Sequence, residues 1–378
     1  MIFSNLKQFI TNWLHELNQP LFQNQEEVSA SALPQDGARD ETFDVLKGIA
    51  IIFVILGHCL KGQIEDFAHT FHIPLFFFVA GYFLKTRPIR EEILLSIKRL
   101  IIPYIFAAFC TCFIALLKDL SNYTWADGSY SQGVILKFLF GFRGECSPPF
   151  FHDTINILWF ILTMFFARCF AVIFLGKIKS DKMLCLLFFF LGILGLLLEK
   201  FIFVPYCIPQ GLYAASFIFT GHLIKKFRIL SSNAIKIFFP YLFILWLYSL
   251  TQGGIGMASG TFPTGFVFGL LGALGAFFTL YIIVKKFYTK TSLIWKTALF
   301  CGRYSLVIYC VHAIEFDSFN WRTIALLHHI SLNHFALFQI TIHTTIIFTL
   351  TFIILKIKSL REGVFQIKNH VIYKNKEW

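Results

Sequence analysis

Long apolar runs alternate with short polar and basic segments along most of the chain. A transmembrane helix needs roughly 20 mostly apolar residues, and ten of these runs are candidates for such a helix. The predicted spans cover residues 44–60, 70–86, 100–117, 155–176, 183–198, 210–226, 236–251, 266–284, 298–316 and 335–356. Gly and Pro interrupt several of them, which a bundle tolerates because neighbouring helices cover the exposed backbone. The pattern predicts an all-α, polytopic membrane bundle of about ten helices.

The composition supports this fold class. Hydrophobic residues make up 57% of the 378 residues and charged residues only 14%, whereas soluble domains average roughly 45–50% and 25%. An ordinary soluble enzyme and a disordered protein are therefore excluded. The net charge of +12 comes from small, dispersed basic groups rather than one basic domain, so we expect no nucleic-acid partner.

The basic residues mark an orientation. With the N-terminus in the cytoplasm, most of the 33 Lys and Arg residues fall in the segments on that side of the predicted spans. This bias alternates segment by segment, as the positive-inside rule requires. The sequence predicts a multi-pass protein of the bacterial inner membrane with both termini in the cytoplasm.

The chain ends flank the membrane part. Apolar residues recur at helical spacing over residues 1–17, with polar residues between them, which predicts an amphipathic helix on the lipid surface. The predicted domains are this helix with a polar linker (1–40), a membrane domain (41–357) and a basic cytoplasmic tail (358–378). Cys146 and Cys207 are both expected on the outer side, where pairing stays open.

The first span carries three polar residues: Asp44, Lys47 and His58. Polar groups inside spans are costly and are candidates for function. Lys47 and His58 are 11 residues apart, which is about three helical turns, so they share one face of the helix. Asp44 lies one turn before Lys47, a spacing that allows an ion pair. A snorkelling anchor for Lys47 and a structural role for His58 are the alternatives.

The second span begins near His72, and Pro74 suits the start of a helix. The turn between the first two spans is short, so we expect His58 and His72 to face one cavity. Histidine is the usual general base because its pKa lies close to physiological pH.

Six segments resemble the acyltransferase 3 family of integral-membrane O-acyltransferases. They are DVLKGIAIIFVILGH from Asp44, FHIPLFFFVAGYFLK from Phe71, KRLIIPY from Lys98, LWFIL from Leu158, IPQGLYAASFIFTGHLI from Ile208 and CGRYSLVIYCVH from Cys301. The resemblance covers roughly residues 40–358 and is closest to the branch similar to sugar O-acetylases and fucose 4-O-acetylases. The family's first-span signature is a basic residue, often Arg, and a His with ten residues between them. Lys47 and His58 hold these positions, and Lys in place of Arg loses the bidentate fork.

The resemblance implies acetyl transfer from cytoplasmic acetyl-CoA to a hydroxyl of a cell-surface glycan, such as lipopolysaccharide O-antigen, capsule or exopolysaccharide. We assign the roles as follows: catalysis to His58, Lys47, Asp44 and His72; donor binding to Lys47, Lys98, Arg99 and Arg303; and acceptor binding to His72, His312 and Trp159. His312 and Trp159 have structural and packing roles as open alternatives. The sequence carries no signal for a particular oligomeric state.

Two other classes compete with this interpretation. A transporter or lipid-linked sugar flippase fits the span number and the small residues near 253–256 and 269–275, although no inverted repeat is visible. A metal protein would rest on outer-side histidines: His69, His72, His328, His329 and His334. These lack carboxylate or Cys partners at ligand spacing, so we expect no metal.

Overall fold

The computed structural model describes residues 40–60, 62–85, 87–121, 129–143, 154–319 and 332–367. Within these ranges the chain is α-helical, and an isolated antiparallel bridge between Gly256 and Thr261 is the only extended pairing. The predicted surface helix at 1–17, most of the linker, Cys146, His328 and His329 lie outside the described residues. The same holds for the tail from residue 368, and the side chain of His334 is not described either.

Fourteen α-helices follow one another in the described residues. They are α1 (Glu41–Cys59), α2 (Gln63–His69), α3 (His72–Tyr82), α4 (Ile89–Ser96), α5 (Ile102–Ser121), α6 (Ser129–Phe140), α7 (Trp159–Lys177), α8 (Asp181–Phe201), α9 (Ile208–Lys226), α10 (Ala234–Thr251), α11 (Phe266–Phe287), α12 (Leu293–Arg303), α13 (Ser305–Ser318) and α14 (Leu332–Lys356). A π-helical segment, Ile97–Ile101, joins α4 to α5. Another, Ser359–Val364, follows α14.

Seven helical spans among the described residues are long and apolar enough to cross a membrane, and a bent helix pair brings the number to eight. The predicted span at 70–86 contains only the 11 residues of α3. The predicted span at 298–316 is broken between α12 and α13, which bend by 79°. The structure confirms the all-α membrane class, while the number of about ten spans stays a prediction.

Large apolar side chains cover the outside of the helices. Phe109, Phe190 and Ile294 are 67%, 63% and 77% exposed. Exposure of contiguous large apolar surface marks contact with another apolar phase, and here helices satisfy their own backbone hydrogen bonds, as a lipid environment requires. The chain is an integral, multi-pass membrane protein.

Glycines set the distance between α1 and α12. A Cβ on Gly48 would lie 1.7 Å from the backbone oxygen of Ala298, and a Cβ on Gly302 would lie 1.6 Å from that of Asp44. Only glycine fits at such a crossing, because small residues let helix backbones approach closely. This contact fixes the end of α12, including Arg303, against the start of α1.

Candidate active site

The polar face of α1 has two separate parts. Asp44 is buried and forms an ion pair with Lys47, whose Nζ lies 2.8 Å from Oδ1. The ion pair that the spacing allows is therefore present. His58 lies roughly 16 Å further along the helix at 1.5 Å per residue. Lys47 and Asp44 are therefore too distant from His58 to share a proton with it directly.

His58 meets α13 rather than α3. Its ring centroid lies 5.3 Å from that of His312 and 5.1 Å from that of Phe316. His58 is half-buried, whereas His312 is fully buried. His58 and His312, which the sequence analysis assigned to different roles, therefore lie next to each other in the bundle.

Two residues that the sequence analysis did not identify, Glu315 and His343, lie next to His312. Glu315 follows it by one turn on α13, and His343 belongs to α14. Glu315 Oε2 lies 3.5 Å from Nδ1 of His312 and 2.7 Å from Nδ1 of His343. The signal was present in the sequence, since an acid three residues after a histidine in an apolar run shares its helix face.

A cavity of about 210 Å³ lies between α1, α3, the α4–α5 junction, α7 and α13. We call it the arginine cavity because two arginines face it. It is lined by Ile51, Phe76, Ala80, Ser96, Arg99, Leu100, Phe160, Met164, Arg168, Ser305, Leu306 and Tyr309. Arg168 pairs with Glu92, and its Nε donates to Ser96 at 3.3 Å. Among the described residues Arg99 makes no ion pair, so its charge is available to a ligand.

Two helices that line the arginine cavity also carry His58 and His312. Ile51 lines the cavity and lies seven residues before His58, about two turns, so both share a face of α1. Tyr309 also lines it and lies three residues before His312, about one turn on α13. The same faces of two helices therefore run from the cavity to the His58–His312 contact.

Arg303 belongs to a different cavity. Its guanidinium lies 2.9 Å from Glu41, which also accepts a hydrogen bond from Tyr288 at 2.9 Å and an ion pair from Lys290 at 3.2 Å. Burial and the bond to Glu41 raise the pKa of Tyr288 to about 12, so it stays a neutral donor. Arg303 lines a cavity of about 730 Å³ between α12 and α14.

The four predicted donor-binding cations therefore do not share one cavity. Lys47 pairs with Asp44 and Arg303 pairs with Glu41. Lys98 is exposed and lines neither of the two cavities, whereas its neighbour Arg99 lines the arginine cavity. Adjacent residues of a helical segment point in different directions around its axis, which explains the difference.

His72 and Trp159 have other neighbours. His72 is buried, its Nδ1 bonds to the backbone oxygen of Ala68, and its ring lies 5.2 Å from that of His69. Trp159 is buried at the start of α7, and its ring packs on Phe160 at 6.3 Å. The described contacts give both residues packing partners and do not bring them to the rings that surround His58.

Comparison with known proteins gives one family. Residues 40–357 match the model of the acyltransferase 3 family, which is described as an acyltransferase domain. No curated protein and no solved structure matches the chain. The matched region contains α1 with His58, α13 with His312 and every helix that lines the arginine cavity. The chain thus belongs to the acyltransferase 3 family and is a membrane acyltransferase.

Proposed function

We propose that the protein transfers an acetyl group from cytoplasmic acetyl-CoA to a hydroxyl of a cell-surface glycan. Lipopolysaccharide O-antigen, capsule and exopolysaccharide are acceptors of this class, and the site of action is the bacterial inner membrane. One observation carries the proposal: Ile51 of α1 and Tyr309 of α13 line the arginine cavity, and the same two helices bring His58 and His312 together.

Donor binding begins at Arg99. Arginine suits phosphate because its planar guanidinium donates two parallel hydrogen bonds, and Arg99 has no carboxylate partner among the described residues. A cavity of about 210 Å³ is smaller than the roughly 300–1,000 Å³ of a site that encloses a drug-sized ligand. It fits the narrow pantetheine arm, with the nucleotide outside near Arg99.

Transfer then takes place at His58. The acceptor oxygen attacks the thioester carbonyl carbon, the C–S bond breaks, and a C–O ester bond forms. His58 takes the hydroxyl proton during attack and returns it to the departing thiolate, which leaves as CoA thiol. Its half-buried ring lets substrate approach, while His312 and Phe316 hold its other side.

Replacement of His58 tests this role. A His58→Ala variant should lower the rate of acetyl transfer by a factor of about 10²–10⁴, the usual contribution of a general base, and the acetyl content of the host's surface glycan should fall with it. His222→Ala is the matched control, since His222 is a half-buried histidine of α9 that lines neither cavity. Membrane levels of both variants are measured by immunoblot, and acetyl content by mass spectrometry of the glycan.

The control should retain wild-type acetylation. Wild-type acetylation by His58→Ala at an equal membrane level would remove His58 from the reaction. A transporter or flippase would change the amount of surface glycan without changing its acetyl content.

A further inference from the structure

Three potential metal ligands meet between α13 and α14. His312, Glu315 and His343 are 0%, 2% and 0% exposed, and one ligand atom from each lies within 4.8 Å of the other two. Glu315 Oε2 is nearest to both histidines, at 3.5 Å and 2.7 Å from their Nδ1 atoms. The cluster therefore has two imidazoles and one carboxylate in a fully enclosed place.

The cluster includes a nitrogen without a hydrogen bond in the described part of the chain. Nε2 of His312 is fully buried and has no hydrogen-bond partner among the described residues, which is unfavourable for a buried polar atom. Glu315 lies between His312 and His343, whereas Asp317 on the same helix lies 2.8 Å from Lys137 and 2.5 Å from Asn156.

The arrangement matches a known coordination pattern. Two His and one Glu with an open fourth position are the ligand set of catalytic Zn²⁺ sites, with bonds of roughly 2.0–2.2 Å. Tetrahedral donors at such bond lengths lie roughly 3.4 Å apart; the two Nδ1–Oε2 distances, 3.5 Å and 2.7 Å, are near this value, and one donor atom of each residue lies within 4.8 Å of the other two. Imidazole also suits Cu, Fe and Ni, and two His with one carboxylate also hold non-haem Fe(II).

We propose that His312, Glu315 and His343 form a binding site for a divalent transition-metal ion, with Zn²⁺ as the ion to test first. The proposal departs from the expectation of no metal, which considered only histidines of the outer side. Those sets lacked a carboxylate, and Glu315 supplies one here. The ring of His58 lies 5.3 Å from that of His312, so the ion would lie beside the proposed general base.

Metal content of purified protein tests the site. The full chain is purified in detergent, stripped with a chelator, reloaded with ZnCl₂ and desalted before elemental analysis. Wild type should hold about one zinc per chain, as expected for a three-ligand site. Glu315→Gln and His343→Ala should hold close to none. His222→Ala is the control and should bind like wild type, because it changes a histidine outside the cluster.

X-ray absorption spectroscopy of zinc-loaded wild-type protein identifies the ligands without variants, so its result does not depend on whether the variants fold. The proposal predicts a first shell of nitrogen and oxygen only, with imidazole scattering. A sulfur-containing shell would place the ion on cysteines and overturn the proposal. Zinc at wild-type level in both variants, or no zinc in reloaded wild type, would also overturn it. None of these readouts uses acetyl transfer, so failure of this site and failure of the proposed function are distinguishable.

Discussion

Arg99 and Lys98 show how much one residue position decides at this site. Both belong to the π-helical segment between α4 and α5, and both are exposed. Only Arg99 lines the arginine cavity. Sequence analysis assigns both to donor binding, because adjacent basic residues near a membrane surface look equivalent until the helix direction is known. The structure places only Arg99 of the two against the cavity, because adjacent residues of a helical segment point in different directions around its axis.

This difference gives a prediction for donor binding. Arg99→Ala should raise the KM for acetyl-CoA by a factor of about 10, since a charge-assisted hydrogen bond contributes roughly 1.5–3 kcal/mol and part of this is lost to solvent at an exposed site. Lys98→Ala removes a neighbouring positive charge and should leave KM within about twofold. Steady-state kinetics with purified enzyme measure both values. Equal effects of the two substitutions would show that the segment acts only through its net charge.

Helix packing explains what sequence patterns predict at the scale of elements and what they miss. Apolar runs predict the position of most helices, because a lipid-facing helix must be apolar over its length. The 79° bend between α12 and α13 coincides with Arg303 and Ser305, two polar residues in the run from 298 to 316, but polar residues inside a run do not by themselves predict a bend. The short length of α3 is also not evident from the sequence, because apolar residues on either side extend the run beyond the 11 helical residues.

Contacts between side chains of different helices are even harder to predict from the sequence than the helices themselves. The His58–His312 contact joins residues whose roles were predicted, because each stands out as polar in an apolar run. His343 completes the cluster from α14, and only the packing of α13 against α14 shows this. The requirement for glycine at Gly48 and Gly302 likewise becomes evident only from the crossing of α1 and α12. Sequence periodicity gives the face of one helix but not its partner.

The crossing of α1 and α12 carries a stability prediction. Gly48→Ala should lower the unfolding temperature in detergent, because the new Cβ would lie 1.7 Å from a backbone oxygen of α12 and overpacking costs about 1–3 kcal/mol. Gly57→Ala is a matched control in the same helix, where the nearest atom would be the Ala68 side chain at 3.6 Å. It should be neutral or stabilising, since Ala is about 1 kcal/mol better than Gly in a helix.

Thermal unfolding of the two purified variants, followed by a thiol-reactive or tryptophan fluorescence probe, measures this difference. An unchanged unfolding temperature for Gly48→Ala would mean that α12 moves away from α1 at little cost. The close approach would then have no role in holding Arg303 beside Glu41.

At the scale of the whole molecule, the proposed reaction requires donor and acceptor to reach the site from opposite sides of the membrane. The distribution of basic residues predicts that Arg99 and Arg303 lie toward the cytoplasm, and α1 and α13 run from the arginine cavity to His58 and His312. The donor is therefore expected to enter from the cytoplasm, while the acceptor reaches His58 from the opposite side. The apolar exterior of the bundle, with residues such as Phe109 and Phe190 exposed, would then face the lipid.

Sided acetyl transfer in membrane vesicles tests the central claim most directly. Inside-out and right-side-out vesicles from cells that make the protein receive labelled acetyl-CoA, which does not cross the membrane, and label in the glycan fraction is counted. The account predicts labelling in inside-out vesicles, where the cytoplasmic face is accessible, and little in right-side-out vesicles. Labelling should fall to background with His58→Ala. Equal labelling in both orientations, or labelling that does not depend on His58, would contradict the account.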